Sequence, residues 1–281
     1  MPETPRFSVR IESIRKHYDR LSLFYRAFWG DHLHHGYWNG TESASRAQVQ
    51  LMERLAEKAA IPRGARVLDI GCGLGGSLLW LAEQFECEGA GMTISPVQAR
   101  MAAAKAKSRG LGGRVSFRVE DADLWRPESS SFDVVWIMES SEHFHDKPGF
   151  FARCASALKP GGVLACCAWL RRDGAVREED RGLVEAIGTA MLSASLDSLS
   201  DYREWMSAAG LEVTTADDIT RQVAPTWTHC SRIGRNPMVK LAVRFMDQPT
   251  RRFVQSFPLM EQAYAQGAMA FGLFAARKPR A

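Results

Sequence analysis

The spacing of apolar and polar positions changes character three times along the 281 residues. From Phe7 to Phe28 apolar side chains recur at roughly helical intervals, which predicts one or two helices ahead of any sheet. HLHHGYWNG then reads as a loop closed by Asn39-Gly40, and Ser43 to Ala60 as a helix that stops before Pro62. From there short apolar runs alternate with amphipathic ones. Strand Arg66 to Ile70 leads to helix Gly76 to Gln84, strand Glu88 to Thr93 to helix Ser95 to Arg109, and strand Val115 to Glu120 follows. Strand Phe132 to Met138 leads to helix Phe150 to Leu158, and strand Val163 to Trp169 comes after KPGG. This alternation predicts a parallel sheet with helices on both faces. Arg171 to Leu199, polar and helical with no strand, interrupts it and is expected to form a lid. A helix over Tyr202 to Ala209, a strand over Glu212 to Ile219, an irregular helical stretch over Ala224 to Gln266 and a last strand over Met269 to Ala276 complete the chain.

The expected division of this single domain is a helical cap over residues 1–60, a cofactor-binding core over 61–170, a helical lid and substrate region over 171–268, and a final strand and tail over 269–281. A chain of this length that is 46% apolar buries a core large enough for that. Lys and Arg number 36 against 32 Asp and Glu, a net charge of +4 with no basic run, so nucleic acid is not the expected partner. The six cysteines form no CxxC pair and read as small core residues of a reduced protein. The charged amino terminus lacks an apolar signal core and no apolar run reaches spanning length, which gives a cytoplasmic expectation.

VLDIGCGLGG supplies the chemistry. In an open parallel sheet the ligand sits where the first strand turns into its helix, and glycines there let the backbone turn sharply and approach a ligand closely. Gly71, Gly73 and Gly76 satisfy the dinucleotide fingerprint. Its second part, an acid about 20 positions on at the end of the second strand, is replaced by Thr93. S-adenosylmethionine is the competing ligand. Asp69 before the turn suits local backbone N–H groups or an ammonium, and Asp121 in VEDADL suits an adenine amino group.

Together the motifs resemble class I S-adenosylmethionine-dependent methyltransferases: VLDIGCGLGG the first motif, EDA the second, FDVVWIMESSEHF the fourth strand with its loop, LKPGGVLACCAW the fifth-strand segment. HYDRLSLFYRAFWGDHLHHGYW, GMTISPVQARMA and MESSEHFHDK look most similar to the tocopherol methyltransferase-like group. The resemblance implies a Rossmann-like, seven-stranded, mostly parallel sheet with a helical cap, and S-adenosyl-L-methionine as cofactor. It places Gly71, Gly73 and Gly75 along the methionine moiety with Asp69 behind them, Thr93, Ile94 and Gln98 along the ribose, and Asp121 with Ala122 along the adenine. Tyr18, Tyr37 and Trp38 resemble residues that close over the methionine end. Glu139 and His143 would stand at the reaction chamber as the catalytic pair.

Methyl transfer from a sulfonium needs alignment above all, and a base only where the acceptor carries a hindering proton. His143 is the expected base for a phenol, while Glu139 would position the acceptor or stabilise a cation. His32, His34 and His35 have no acid or cysteine at a zinc-like spacing, so no metal is expected and hydrogen bonding in the cofactor lid is preferred. Among Trp29, Trp38, Trp169, Trp205 and Trp227, about two are expected to touch substrate. The expected activity is methylation of a hydrophobic, aromatic or phenolic small-molecule natural product at oxygen, carbon or nitrogen. Carbon methylation of an isoprenyl diphosphate is the enzymatic alternative; a nicotinamide-dependent oxidoreductase and a non-catalytic nucleotide-binding module are the alternatives from other classes.

Overall fold

Seven strands form one sheet in the order β3-β2-β1-β4-β5-β7-β6. The computed structural model describes residues 6–280, with the side chains of residues 23–29, 242 and 249, that of Trp29 included, outside that description. The strands are β1 Arg66–Ile70, β2 Glu88–Thr93, β3 Val115–Val119, β4 Phe132–Met138, β5 Leu158–Arg171, β6 Glu212–Asp218 and β7 Met269–Arg277. β1 to β5 are parallel, and β7 runs antiparallel between β5 and β6. The order reverses between β1 and β4, which opens the crevice beyond their carboxyl ends where such sheets bind ligands.

The central strands β1, β4, β5 and β7 are buried on both faces because they are apolar at successive positions, which point to opposite sides. Val67, Val134, Trp136, Ala165 and Cys167 face one core. Leu68, Ile70, Val135, Ile137, Leu164 and Cys166 face the other. The first core packs under α2 Ala44–Ala59, α3 Gly76–Gln84 and the carboxyl-terminal helices; the second packs under α5 Lys147–Ala157 and α7 Leu199–Ala208. All six cysteines are free and buried.

Several boundaries differ from the sequence expectation. α5 begins at Lys147, three residues before Phe150, because the Asp146 side chain accepts from the Gly149 N–H and Pro148 sits in the first turn, where its missing N–H costs nothing. β5 begins at Leu158 and absorbs KPGG, because Leu158 already pairs with Phe132 before the register shifts to Val134 with Val163. The stretch after β5 holds α6 Glu178–Ala190 and is tied down at its far end: buried Lys147 donates to the Ser195 carbonyl and hydroxyl and pairs with Asp197. α1 Ile11–Trp29 packs against α4 Pro96–Ser108 and α11 Gln248–Gln255. The 224–266 region resolves into α9 Pro225–Arg235, α10 Pro237–Arg244, α11 and α12 Phe257–Gln266, with α8 Thr220–Val223 before it. Among the described residues, no helix is long and apolar enough to cross a membrane.

Candidate active site

The turn from β1 to α3 is built on left-handed backbone at Gly71, Gly73 and Gly75, with φ of +74°, +53° and +77°. A Cβ on Gly71 would collide with the side chain of Ser140, whose hydroxyl donates to the Ile70 carbonyl at 2.7 Å. A Cβ on Gly73 would meet only Leu33, at 3.8 Å, so this position opens toward the cavity. Gly75, placed by the resemblance along the methionine moiety, is not among the residues lining the adjacent cavity, and a Cβ there would press on Phe117 of β3 and on Ala102 of the helix over Pro96–Ser108. Gly76 lets the histidine loop cross the start of α3, since a Cβ there would strike the Asp31 carbonyl and His32 Nδ1. Asp31 is held in turn by Lys105 and by Arg109, the latter at 2.8 Å.

A cavity runs from this turn along the strand ends. It brings together Tyr18, Asp69, Gly71, Gly73, Thr93, Ile94, Gln98, Asp121, Ala122, Glu139 and His143 from the expected set. Tyr37 and Trp38 of the expected set sit elsewhere. Neither lines the cavity: the Tyr37 backbone is bonded to Ala47 and Gln50, while Trp38 donates from Nε1 to Thr226 at 3.0 Å and stacks on His229. These contacts tie the loop to α2 and α9.

Four buried polar atoms of residues lining this cavity have no partner among the described residues: His32 Nδ1, His34 Nε2, Asp69 Oδ2 and Gln98 Nε2. Burial pushes the Asp69 carboxyl up to about 7, against one hydrogen bond from the Leu78 N–H. Thr93 donates to Gln98 Oε1 at 2.8 Å and accepts from the Ser95 N–H, so the amide Nε2 is left as a donor on the cavity wall. An unpartnered carboxylate oxygen beside a glycine turn and an unpartnered amide donor at the end of β2 fit the ammonium and ribose ends of S-adenosylmethionine, since buried polar groups are otherwise satisfied.

A second cavity adjoins the first, and Tyr18, Leu33, His34 and Glu139 line both. Its remaining walls are apolar and aromatic, with Trp169, Met191, Trp227, Cys230 and Phe253 prominent. Of the described tryptophans, Trp169 and Trp227 line it; Trp205 lies across the sheet against Phe151 and Tyr202.

The junction has a defined hydrogen-bond pattern. His143 Nδ1 donates to the Leu192 carbonyl at 2.8 Å, which leaves Nε2 as the acceptor for the Tyr18 hydroxyl at 3.0 Å. Burial lowers the His143 pKa to about 4 and raises that of Tyr18, so both are neutral near pH 7. Glu139, in a left-handed conformation at φ +53°, accepts from the His35 N–H and Nδ1 at 2.7 Å each and from Trp169 Nε1 at 2.6 Å. Burial raises its pKa, but His35 and these hydrogen bonds outweigh it and hold the carboxyl below its usual value. His34, which sequence reasoning assigned only to the lid, donates from Nδ1 to the His35 carbonyl at 2.7 Å, and its buried Nε2 has no partner among the described residues. No three His, Cys, Asp or Glu side chains among the described residues converge to hold a metal ion.

The chain is similar in sequence and in fold to known proteins. The chain is 33% identical over 284 residues to "Probable tocopherol O-methyltransferase, chloroplastic" of Oryza sativa subsp. japonica, covering 95% of this chain and 78% of that protein. Its fold is similar to the cyclopropane synthase MmaA2 from Mycobacterium tuberculosis, with a TM-score of 0.82 at 18% identity over 98% of this chain and 99% of the other. It is also similar to geranyl diphosphate C-methyltransferase from Streptomyces coelicolor A3(2), solved with Mg2+, geranyl diphosphate and S-adenosyl-L-homocysteine, with a TM-score of 0.72 at 18% identity over 95% and 97%. The family model for mycolic acid cyclopropane synthetase matches residues 6–265, and the chain belongs to that family of S-adenosylmethionine-dependent methyltransferases.

Proposed function

We propose that the enzyme methylates an oxygen of a hydrophobic phenolic small molecule seated in the aromatic cavity, with Tyr18 and His143 receiving its proton. When bound, S-adenosylmethionine supplies a methyl group on a sulfonium for in-line attack. Asp69, Gly71, Gly73, Gln98, Thr93, Ile94, Asp121 and Ala122 would hold that donor, and Trp169, Trp227 and Phe253 would hold the acceptor. The observation that carries the reading is the shared wall: Tyr18 and Glu139 border both cavities, so an acceptor oxygen in one faces a methyl donor in the other.

His143, with a pKa near 4, is a weak base, and a weak base suffices. The phenol proton becomes strongly acidic as oxygen gains the methyl group, and it passes through the Tyr18 hydroxyl to Nε2 as the bond forms. Glu139 acts by position: with three donors on its carboxylate it fixes His35 and Trp169 and adds a negative charge beside the reaction chamber. A dry, lidded site favours the loss of the sulfonium charge. One observation favours a second base, the unpartnered Nε2 of His34 on both cavities. Turnover that survives His143→Ala but not His34→Ala would transfer the role.

The test is release of S-adenosylhomocysteine over a panel of simple phenols, prenylated quinols, amines and isoprenyl diphosphates. Turnover with the phenols and quinols, giving a methyl ether, is expected. Turnover confined to amines or isoprenyl diphosphates would overturn the reading.

A further inference from the structure

Outside the two cavities the described surface has an apolar ridge on one helix. On α10 Met238 and Leu241 are 74% and 53% exposed, and Phe245, one residue past its end, is 85% exposed. At the i, i+3, i+7 positions they lie along one face, while Val243 turns inward and is 8% exposed. Lys240 and Arg244, one turn apart, flank this ridge and have no acidic partner among the described residues. The basic character continues beyond the helix. The groove between α1 and α11, about 1320 Å³ in volume, carries Arg10, Lys16, Arg20 and Arg252 against Asp247, which pairs with Arg20 at 2.7 Å.

We infer that α10 and the adjoining basic groove form a docking surface for an anionic lipid bilayer. Three large apolar side chains held in water without a partner are costly, and such a ridge beside cations is the pattern of a helix lying in a membrane interface. The flanking cations supply the charge complementarity, because Lys and Arg near an anionic surface each add attraction that salt screens. The position of the surface gives it a use. α10 packs between α9 and α11, the helices that supply Trp227, Cys230 and Phe253 to the aromatic cavity. A hydrophobic acceptor dissolved in the bilayer would thus be taken up beside the wall that receives it. That use rests on the proposed hydrophobic acceptor; the docking itself does not.

Sedimentation with vesicles tests it without any acceptor. The protein is expected to partition onto phosphatidylcholine–phosphatidylglycerol vesicles at low salt, to be released as salt is raised, and to bind phosphatidylcholine vesicles at least about tenfold more weakly. Met238→Asp with Phe245→Asp should abolish binding, and Lys240→Glu or Arg244→Glu should each weaken it by roughly fivefold. All these variants should keep the wild-type affinity for S-adenosylhomocysteine, which shows that they fold. Equal binding to both vesicle types, binding to neither, or binding indifferent to the substitutions overturns the inference. So does a dimer that Phe245→Asp splits, since a second copy would then cover the ridge. If phenol methylation persists while vesicle binding fails, only the docking surface falls; if vesicle binding holds while no phenol is methylated, only the proposed acceptor does.

Discussion

The two adjoining cavities are made in different ways. One side of the proposed donor cavity comes from contiguous pieces of chain, the turn after β1, the ends of β2 and β3 and the loop after β4, and α1 with residues 31–34 closes the other. The proposed acceptor cavity is assembled from residues 18, 33–35, 139, 169, 191, 226, 227, 230 and 253, which only tertiary packing brings together. The donor side is shaped by the left-handed backbone of its glycine turn, and the acceptor side by ring faces. The difference teaches that the methyl donor is written in local motifs, while the acceptor depends on how distant helices pack.

Substitutions should separate the two sides. The largest effect is expected at the turn. Gly71→Ala combines a φ of +74° with a collision against Ser140, so affinity for S-adenosylhomocysteine should fall roughly 100-fold or more by isothermal titration. Adding Ser140→Gly should recover part of it; a Gly71→Ala variant with normal affinity would show that the turn does not set the donor cavity.

A smaller change is expected at Asp69. With its carboxyl raised to about 7, affinity for the cationic S-adenosylmethionine should rise as pH passes upward through that value, because a cation binds the ionised form better and releases the proton. Asp69→Asn should weaken binding about 10- to 100-fold and flatten this pH dependence. A variant that retains the wild-type slope would place the titrating group elsewhere.

Trp227→Ala belongs to the other side of the comparison. It should raise the acceptor KM about tenfold through lost apolar contact while leaving S-adenosylhomocysteine affinity unchanged. A weakened donor instead would mean that the two cavities are not separable in this way.

The smallest effect concerns stability. Glu142, buried behind Trp169, has its pKa raised from 4.5 to about 8 by burial, and one of its oxygens is unpartnered. Below pH 4.5 both folded and unfolded states hold the proton; between 4.5 and 8 only the unfolded state loses it, so stability is lost as pH rises through that window. Glu142→Gln cannot ionise, and its Tm advantage over the wild-type chain should therefore grow between pH 4.5 and 8, reaching at least about 2 °C. A constant difference across that range would contradict the burial of an ionisable carboxyl there.

The same contrast explains what could be read from the chain alone. β1, α3 and β2 begin and end where the periodicity and glycines place them, because apolar runs and turn residues decide these boundaries locally. The start of α5 required recognising Asp146 as its cap, and the start of β5 depended on pairing with β4 through KPGG. HLHHGYW shows the limit most clearly. Its three histidines and two aromatic residues look alike in sequence, yet His34 borders both cavities, His35 pairs with Glu139, and Tyr37 and Trp38 are fixed to α2 and α9. Partners more than 100 residues away sort them, as when His35 meets Glu139 and Trp38 meets Thr226. Ser140, which makes glycine necessary at position 71, is hidden for the same reason.

The central claim is that the proton of a phenolic acceptor leaves through Tyr18 to His143 at the wall between the cavities. Turnover of a phenol by His143→Ala, measured as S-adenosylhomocysteine release at saturating donor and acceptor, tests it most directly. The expected result is a fall in kcat on the order of 10² to 10⁴ with donor affinity nearly intact, and a wild-type profile that stays flat down to about pH 5 before falling as His143 protonates near 4. Unchanged turnover by His143→Ala would contradict the claim.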